Sequence, residues 1–373
     1  MHPDIVKNFL LTWVSFLSML LPTWANANDS GFKLGFSYAA GYSTPPIGPE
    51  TDDTAKQRLT FNVKADLNEM FNLKGGSIFF QYQNHNGQSG FTQIGDIQQY
   101  DGLDDPEYNR IHMLWYEQIL FEEKFRIKIG KVEPKSEFFA PLNATHHLGF
   151  STERSPTIIA QGPPSLSVNA IYSPTDRFSV ALGVYDAAFF GGFNENTFRF
   201  HNVFDDLEEV AIFAEGRYRL KNEDTHLKFG YWRIEGGAGE TRFNTAIEDN
   251  TDGFYLVVDH NIGDTGIGVY GQYGYADQEY ANLKHHLGAG FQWVQPFSSK
   301  RNDILGAGIS FVEFSDRADS PFVKNAETAY EAFYKISPLP WLDLRADIQF
   351  IDNPGGLSVR DALVPTFRAT LKN

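Results

Sequence analysis

Charged side chains in this chain recur at every second position. Arg126 and Lys128 flank one apolar residue, Glu215, Arg217 and Arg219 follow the same rule, and so do Asp343, Arg345 and Asp347. Residues two apart on an extended chain share a face. Each group therefore sets several hydrogen-bonding heads in one line. Guanidinium and ammonium groups donate and carboxylates accept, so such a line suits hydroxyl-rich or charged solutes. Arg110, Glu331 and Arg368 stand in similar alternating stretches, while Glu153 and Arg154 lie in an irregular one. Asp343 apart, these twelve residues are the candidates for contact with a solute.

Bond-making chemistry finds no support in the motifs. The chain has no cysteine, so thiolate and disulfide chemistry are excluded. It carries no glycine-rich phosphate loop, HExxH or nucleophile elbow. The pairs His146-His147 and His285-His286 lack the i, i+4 spacing of a helical metal site, and neighbours on a strand point to opposite faces. Neither an enzyme nor a cofactor is expected.

The elements that carry these residues read as β-strands. Leu342, Leu344, Ala346, Ile348 and Phe350 alternate with Asp343, Arg345, Asp347 and Gln349. The pattern recurs from a first strand near 32–42 to a last one at Pro365, Phe367, Ala369 and Leu371, giving about 16 segments. In the fourth of them Ile111, Met113 and Trp115 oppose Arg110 and His112. Short turns, as at 121–124 and 173–176, trade places with long polar connections at 45–55, 87–108, 188–209 and 235–251. That asymmetry predicts an all-β transmembrane antiparallel barrel with periplasmic turns and external loops. The apolar faces then meet lipid and the charged faces line a wet lumen. A soluble β-protein with a solvated charged face is the competing reading.

The N-terminus agrees with export. Lys7, the apolar run from Phe9 to Leu21, Pro22 and the triplet Ala25-Asn26-Ala27 have the layout of a signal peptide, cleaved after Ala27. Residues 28–373 then form a single barrel domain. The net charge of −16 argues against nucleic acid as a partner.

One segment breaks the strand rhythm. Residues 133–164 show neither alternation nor a helical face, and connections of that length are uncommon unless functional. The segment is expected to fold inward as a constriction. Phe138, Phe139, Phe150, Glu153 and Arg154 would then meet the solute, opposite Arg126, Lys128, Arg217 and Arg219 on the wall.

Several stretches resemble the carbohydrate-selective porins of the OprB type. The most specific is "ETAYEAFYKISPLPWLDLRADIQFIDNPGG" at 327–356, followed by "DALVPTFRATL". It is similar to that family's Glu-x-x-x-Glu, Pro-Trp-Leu, Gln-Tyr/Phe-Ile and Asn-Pro-Gly-Gly pattern. "RIKIGKVEPKSEFF", "YSPTDRFSVALGVYDA" and "NDILGAGISF" resemble further family segments in the expected order. One departure is the ending Leu371-Lys372-Asn373, where outer-membrane barrels usually carry an aromatic residue. The resemblance implies a 16-stranded barrel in the Gram-negative outer membrane that passes carbohydrates by diffusion. It implies as partners carbohydrate solutes, outer-membrane lipid, lipopolysaccharide and the barrel assembly machinery. A homotrimer is admitted, not required. The alternatives are a general or anion-preferring porin, a barrel-borne lipid hydrolase, and an adhesin carried by the long loops.

Overall fold

The computed structural model describes residues 31–88, 90–187, 210–220, 224–236, 250–297, 301–317 and 320–373. The expected signal peptide and most of two long connections lie outside the described residues. Sixteen strands close into one antiparallel barrel in which every strand pairs with its chain neighbours. They are β1 Phe32–Ser43, β2 Thr54–Asp66, β3 Gly76–Gly87, β4 Tyr108–Leu120, β5 Phe125–Val132, β6 Ser165–Thr175, β7 Phe178–Asp186 and β8 Val210–Arg219. The second half comprises β9 Thr225–Glu235, β10 Thr251–Asn261, β11 Ile267–Ala276, β12 Leu283–Val294, β13 Asp303–Phe314, β14 Ala326–Leu339, β15 Leu342–Asp352 and β16 Ala362–Lys372. β1 pairs with β16 from Ser37↔Lys372 to Ser43↔Thr366, which removes both sheet edges. At the end of that seam, the Asn373 side chain accepts from Phe36 N at 2.7 Å and donates to Leu34 O at 3.2 Å.

The orientation of the faces decides between a membrane barrel and a soluble one. The apolar alternates point outward: Leu182 is 50% exposed, Phe229 56% and Ile348 45%. Lumen-facing alternates such as Ala181, Asp347 and Gln349 are buried. A soluble protein would not present such a continuous apolar surface to water. Lipid is the solvent that this band fits. No helix among the described residues is long and apolar enough to cross a membrane, so the crossing is made by strands.

One face assignment differs from the sequence pattern. Gln81 pairs with Met113 and Tyr82 with Ile111, so His112 is an extra residue in β4. Such a bulge shifts every later side chain to the other face. Trp115 therefore points into the lumen, where it stacks on Phe79 at 5.0 Å and carries Lys128 Nζ 4.1 Å above its ring. Alternation alone places it outside.

The short turns are built locally. Asp66 caps the small helix Leu67–Phe71 by accepting from Asn68 N at 2.9 Å, satisfying a donor that the first turn leaves open. The long connections at 88–107 and 133–164 leave from the opposite end of the barrel and turn into its interior.

Candidate functional site: a constricted lumen

Segment 133–164 crosses the lumen and rests on the wall of the middle strands. Phe138 and Phe139 fill an apolar cluster with Tyr185, Phe213, Trp232 and Tyr255, all nearly inaccessible. Phe138 stacks on Phe213 at 5.1 Å and Phe139 meets Tyr255 edge-on at 6.0 Å. Wall glycines make room for these rings. A Cβ on Gly183 would lie 2.7 Å from the Phe138 ring, and one on Gly230 would overlap the phenol end of Tyr255. The expectation that Phe138 and Phe139 meet the solute is therefore corrected: they are the foot of the segment. Phe150 is also buried, with the Arg154 guanidinium 3.8 Å above its ring.

Wall carboxylates then fix the segment's backbone. Glu215 on β8 accepts from Phe139 N at 2.8 Å and from the Tyr255 hydroxyl at 2.7 Å. Asp259 on β10 accepts from Asn143 N at 2.8 Å. Glu331 on β14 accepts from Leu148 N at 2.5 Å, Gly149 N at 3.2 Å and the Thr152 hydroxyl at 3.1 Å. A hydrogen bond to an ionised acceptor contributes about 1.5–3 kcal/mol, so these contacts specify the segment's path. Glu137 adds the reverse arrangement, a loop carboxylate held by Arg126 and Lys128 while Arg217 donates to its carbonyl. Lys228 donates to Ala140 O at 2.6 Å.

Segment 88–107 also enters the lumen, which its acidic composition does not announce. Glu327 on β14 accepts from Ile97 N at 2.9 Å, Gln98 N at 3.0 Å and Gly355 N at 2.5 Å. This gives the Glu-x-x-x-Glu pair a physical reading. Glu327 and Glu331 share a face of β14, and each holds a different inward segment. Asp101 is paired with Arg368 and lies 3.6 Å from Lys56, which also lies 3.4 Å from Asp104. Burial works against the Asp101 charge, but Arg368 and Lys56 hold its carboxyl well below the usual carboxylate range. The two segments then join. Gly102 N donates to Leu148 O at 2.8 Å, and Phe150 N donates to Gln99 O at 2.9 Å.

Open space remains where this joined plug faces the closing strands. A cavity of about 180 Å³ is lined by Thr145, His147, Leu148 and Glu153 from the plug, and by Lys335, Asp343, Arg345, Arg368 and Thr370 from the wall. Lys335 lies 3.5 Å from Asp343, which Lys372 approaches at 2.7 Å. Glu153 is paired with Lys135. Arg345 lies 4.7 Å above the Phe333 ring. Burial, with Lys335 and Arg345 nearby, pushes the neighbouring His146 imidazole down to about 4.

The candidates thus separate into three groups. Glu153, Arg345 and Arg368 share the cavity. Arg126, Lys128, Glu215, Arg217, Glu331 and Arg154 hold the plug, the last through Glu133 at 3.5 Å. Asp347 is buried beside Gln349, 3.3 Å from its amide. Arg110 lies 4.1 Å above the Tyr108 ring on the wall of β4. Arg219, expected to oppose segment 133–164, instead donates to Asp176 O at 3.0 Å in the turn after β6. The strand simply carries it too far from the plug. Sequence reasoning passed over Lys335 and Asp343 in the cavity, and Lys56, Asp101, Asp259 and Glu327 as anchors. Strand alternation already put Asp259 and Lys335 on the wet face, and that signal was available. The histidine pairs also separate. His285 contacts Tyr273 on the outer face, while His286 bonds Ser310 at 2.8 Å inside.

A closed 16-stranded barrel with an apolar outer band, a polar lumen and inward-folded segments defines the class: an outer-membrane diffusion porin. The profile of the carbohydrate-selective porin, OprB family, matches residues 50–372, and the chain belongs to that family. Among solved structures it is similar to the high-pH structure of Pseudomonas putida OprB, at 15% identity, covering 97% of both chains with a TM-score of 0.81. The low-pH structure of the same porin aligns with a TM-score of 0.59 at 14% identity, over 97% of this chain and 96% of that one. OmpT of Vibrio cholerae aligns with a TM-score of 0.57 at 14% identity, over 92% of this chain and 97% of that one. No curated protein matches the sequence. The protein is an outer-membrane channel for passive diffusion of carbohydrates, and its family and fold are those of a pore.

Proposed function

We propose that sugars pass through the open side of the lumen, between the joined plug and β14–β16, and are sorted at the cavity there. The single observation that carries this reading is the lining: ammonium, guanidinium and carboxylate heads with two threonine hydroxyls around a space of about 180 Å³. A sugar entering it exchanges water hydrogen bonds for those of Arg345, Arg368, Lys335, Glu153 and Asp343. The exchange is nearly balanced, so the solute binds weakly and leaves. Arg126, Lys128, Glu215, Arg217 and Glu331 act one step back by holding the plug in register. Arg110, Arg219 and Asp347 shape the wall and its charge, and Arg154 braces the plug from within through Glu133.

Export by a cleaved segment 1–27, leaving one barrel domain, completes the reading. Insertion is by the barrel assembly machinery, the outer rim meets lipopolysaccharide, and a homotrimer is one assembly open to the barrel. The test is a liposome-swelling assay over mono- and oligosaccharides. Monosaccharides are expected to enter fastest, and removal of part of the stretch between Ala144 and Ser155 is expected to raise conductance and flatten sugar discrimination. Unchanged conductance and preference in that variant would move sorting elsewhere. Total exclusion of all sugars would end the porin reading.

A further inference from the structure

Three cations face each other directly across adjacent strands at the constriction. Lys335 pairs in register with Arg345, and Arg345 pairs in register with Arg368. All three line the same cavity. Like charges directly opposed on a sheet are destabilising, so such a row needs compensation.

The compensation on the page is incomplete. Arg368 has Asp101, which Lys56 shares together with Asp104. Asp343 is a single carboxylate between two cations, Lys335 and Lys372. Glu153 is taken by Lys135. Glu331 is turned toward the plug, accepting from three neutral donors with His147 at 3.3 Å, and Asp347 lies against Gln349 and Glu331. Arg345, in the middle of the row, has no ion pair among the described residues and rests instead on the Phe333 ring at 4.7 Å. The row therefore sets three cationic heads in register beside a cavity whose other lining includes Thr145, Thr370 and the carboxylate of Glu153. Hydroxyl partners and one guanidinium without a direct ion pair, with Asp347, Glu331 and Glu153 acting on it only at longer range, stand side by side.

We infer that the preferred solutes are carbohydrates bearing one anionic group, a carboxylate or a phosphate ester, with Arg345 as the counter-charge. The inference rests on the carbohydrate-porin reading of the same lumen. The guanidinium fork accepts either oxyanion in a two-point contact, and the remaining hydroxyls of the ring meet Glu153, Thr145 and Thr370. The low-dielectric walls focus the field of the row on the passage, so an anionic sugar is concentrated there relative to its neutral parent.

The test uses the full-length protein folded into liposomes, with the membrane potential clamped at zero. Uptake of labelled glucose, glucuronate and glucose 6-phosphate is followed at about 20 mM and about 500 mM salt, concentrations chosen so that the screening length shrinks from well above to below the cavity dimension. At low salt at least one anionic sugar is expected to enter about threefold or more faster than glucose, with the advantage shrinking at high salt. The separate arms tell carboxylate from phosphate. Arg345→Gln is expected to bring the ratio to about one, and Arg345→Lys to restore part of it. Heat-modifiable gel mobility reports that each variant has folded, and Lys335→Gln, expected to lower the ratio partway, serves if Arg345→Gln has not. Glucose entering as fast as or faster than both anions overturns the inference and leaves the porin reading intact. A ratio unchanged in Arg345→Gln overturns the role of the row. Entry of no sugar at all overturns the porin reading and this inference with it.

Discussion

The two sides of the lumen are built on opposite principles. Between β6 and β11 the interior is dry: Phe138, Phe139, Tyr185, Phe213, Trp232 and Tyr255 interlock around glycines, and almost none of their surface is accessible. Between β14 and β16 the interior is polar, with Lys335, Asp343, Arg345 and Arg368 around an open cavity. The first side behaves as the core of a soluble domain, where shape and close packing set the energy. The second sets charged groups around open space, where ion pairs and hydrogen bonds rather than close packing set the energy. A pore thus acquires a fixed constriction by filling half of itself with core and leaving solute recognition to the other half.

Removing a ring from the packed side tests this most severely. Phe213→Ala is expected to cost about 3–5 kcal/mol, because the cavity it opens lies under both Phe138 and Phe139. Denaturant unfolding in detergent measures the loss, and conductance is expected to rise as the plug loosens. A cost below about 1 kcal/mol would show that the packed side is not a core. The outer face provides a second contrast. Ile348→Arg sets a charge in the lipid band next to Asp347 on the wet face, and is expected to cost about 2–4 kcal/mol near the membrane midplane. Equal tolerance of Ile348→Arg and Arg345→Gln in the same unfolding assay would contradict the assigned faces.

Glu331→Ala cuts the link between the two sides. It leaves Leu148 N and Gly149 N without their acceptor, at about 1–3 kcal/mol. Larger and noisier single-channel conductance is the expected signature, and wild-type traces would place the anchor elsewhere. Acid gives the smallest effect. Asp101 has its folded pKa depressed, so its contribution is fully present above the unfolded value of about 4 and is lost as pH falls through the folded one. Conductance is expected to hold steady from pH 7 to about 5, and to rise only under strong acid as segment 88–107 comes free of Lys56 and Arg368. A rise already complete at pH 5 would remove Asp101 from that role.

Much of the architecture is written in local pattern. Period-2 alternation places Ile348 against Asp347, and the length of 133–164 announces an unusual connection. What stayed hidden depends on partners far along the chain. The inward course of 88–107 is set by Glu327 and Arg368, more than two hundred residues away. An acidic, polar composition reads the same whether the segment faces solvent or a basic wall. The dry side of the lumen left a trace in β10, where Tyr255 and Val257 stand at wet-face positions. Deciding that they meet Phe139 requires knowing that a plug arrives there. The bulge at His112 inverts Trp115 for a reason no repeat can show, since one extra residue preserves the alternation on either side of it.

The anchors of the plug also fix an order of events. The two inward segments belong to the first third of the barrel, whereas Glu327, Glu331, Gln349 and Arg368 come from its final three strands. Bonds spanning 179 to 267 positions along the chain join them. Contacts of such separation form late, after the chain entropy of the intervening strands has been spent. Before the final strands are in place, the filter is tied only to the middle of the wall, through Glu215, Lys228 and Asp259. β16 carries Arg368 and is also the strand that zips onto β1, so one strand both shuts the sheet and ties down the filter.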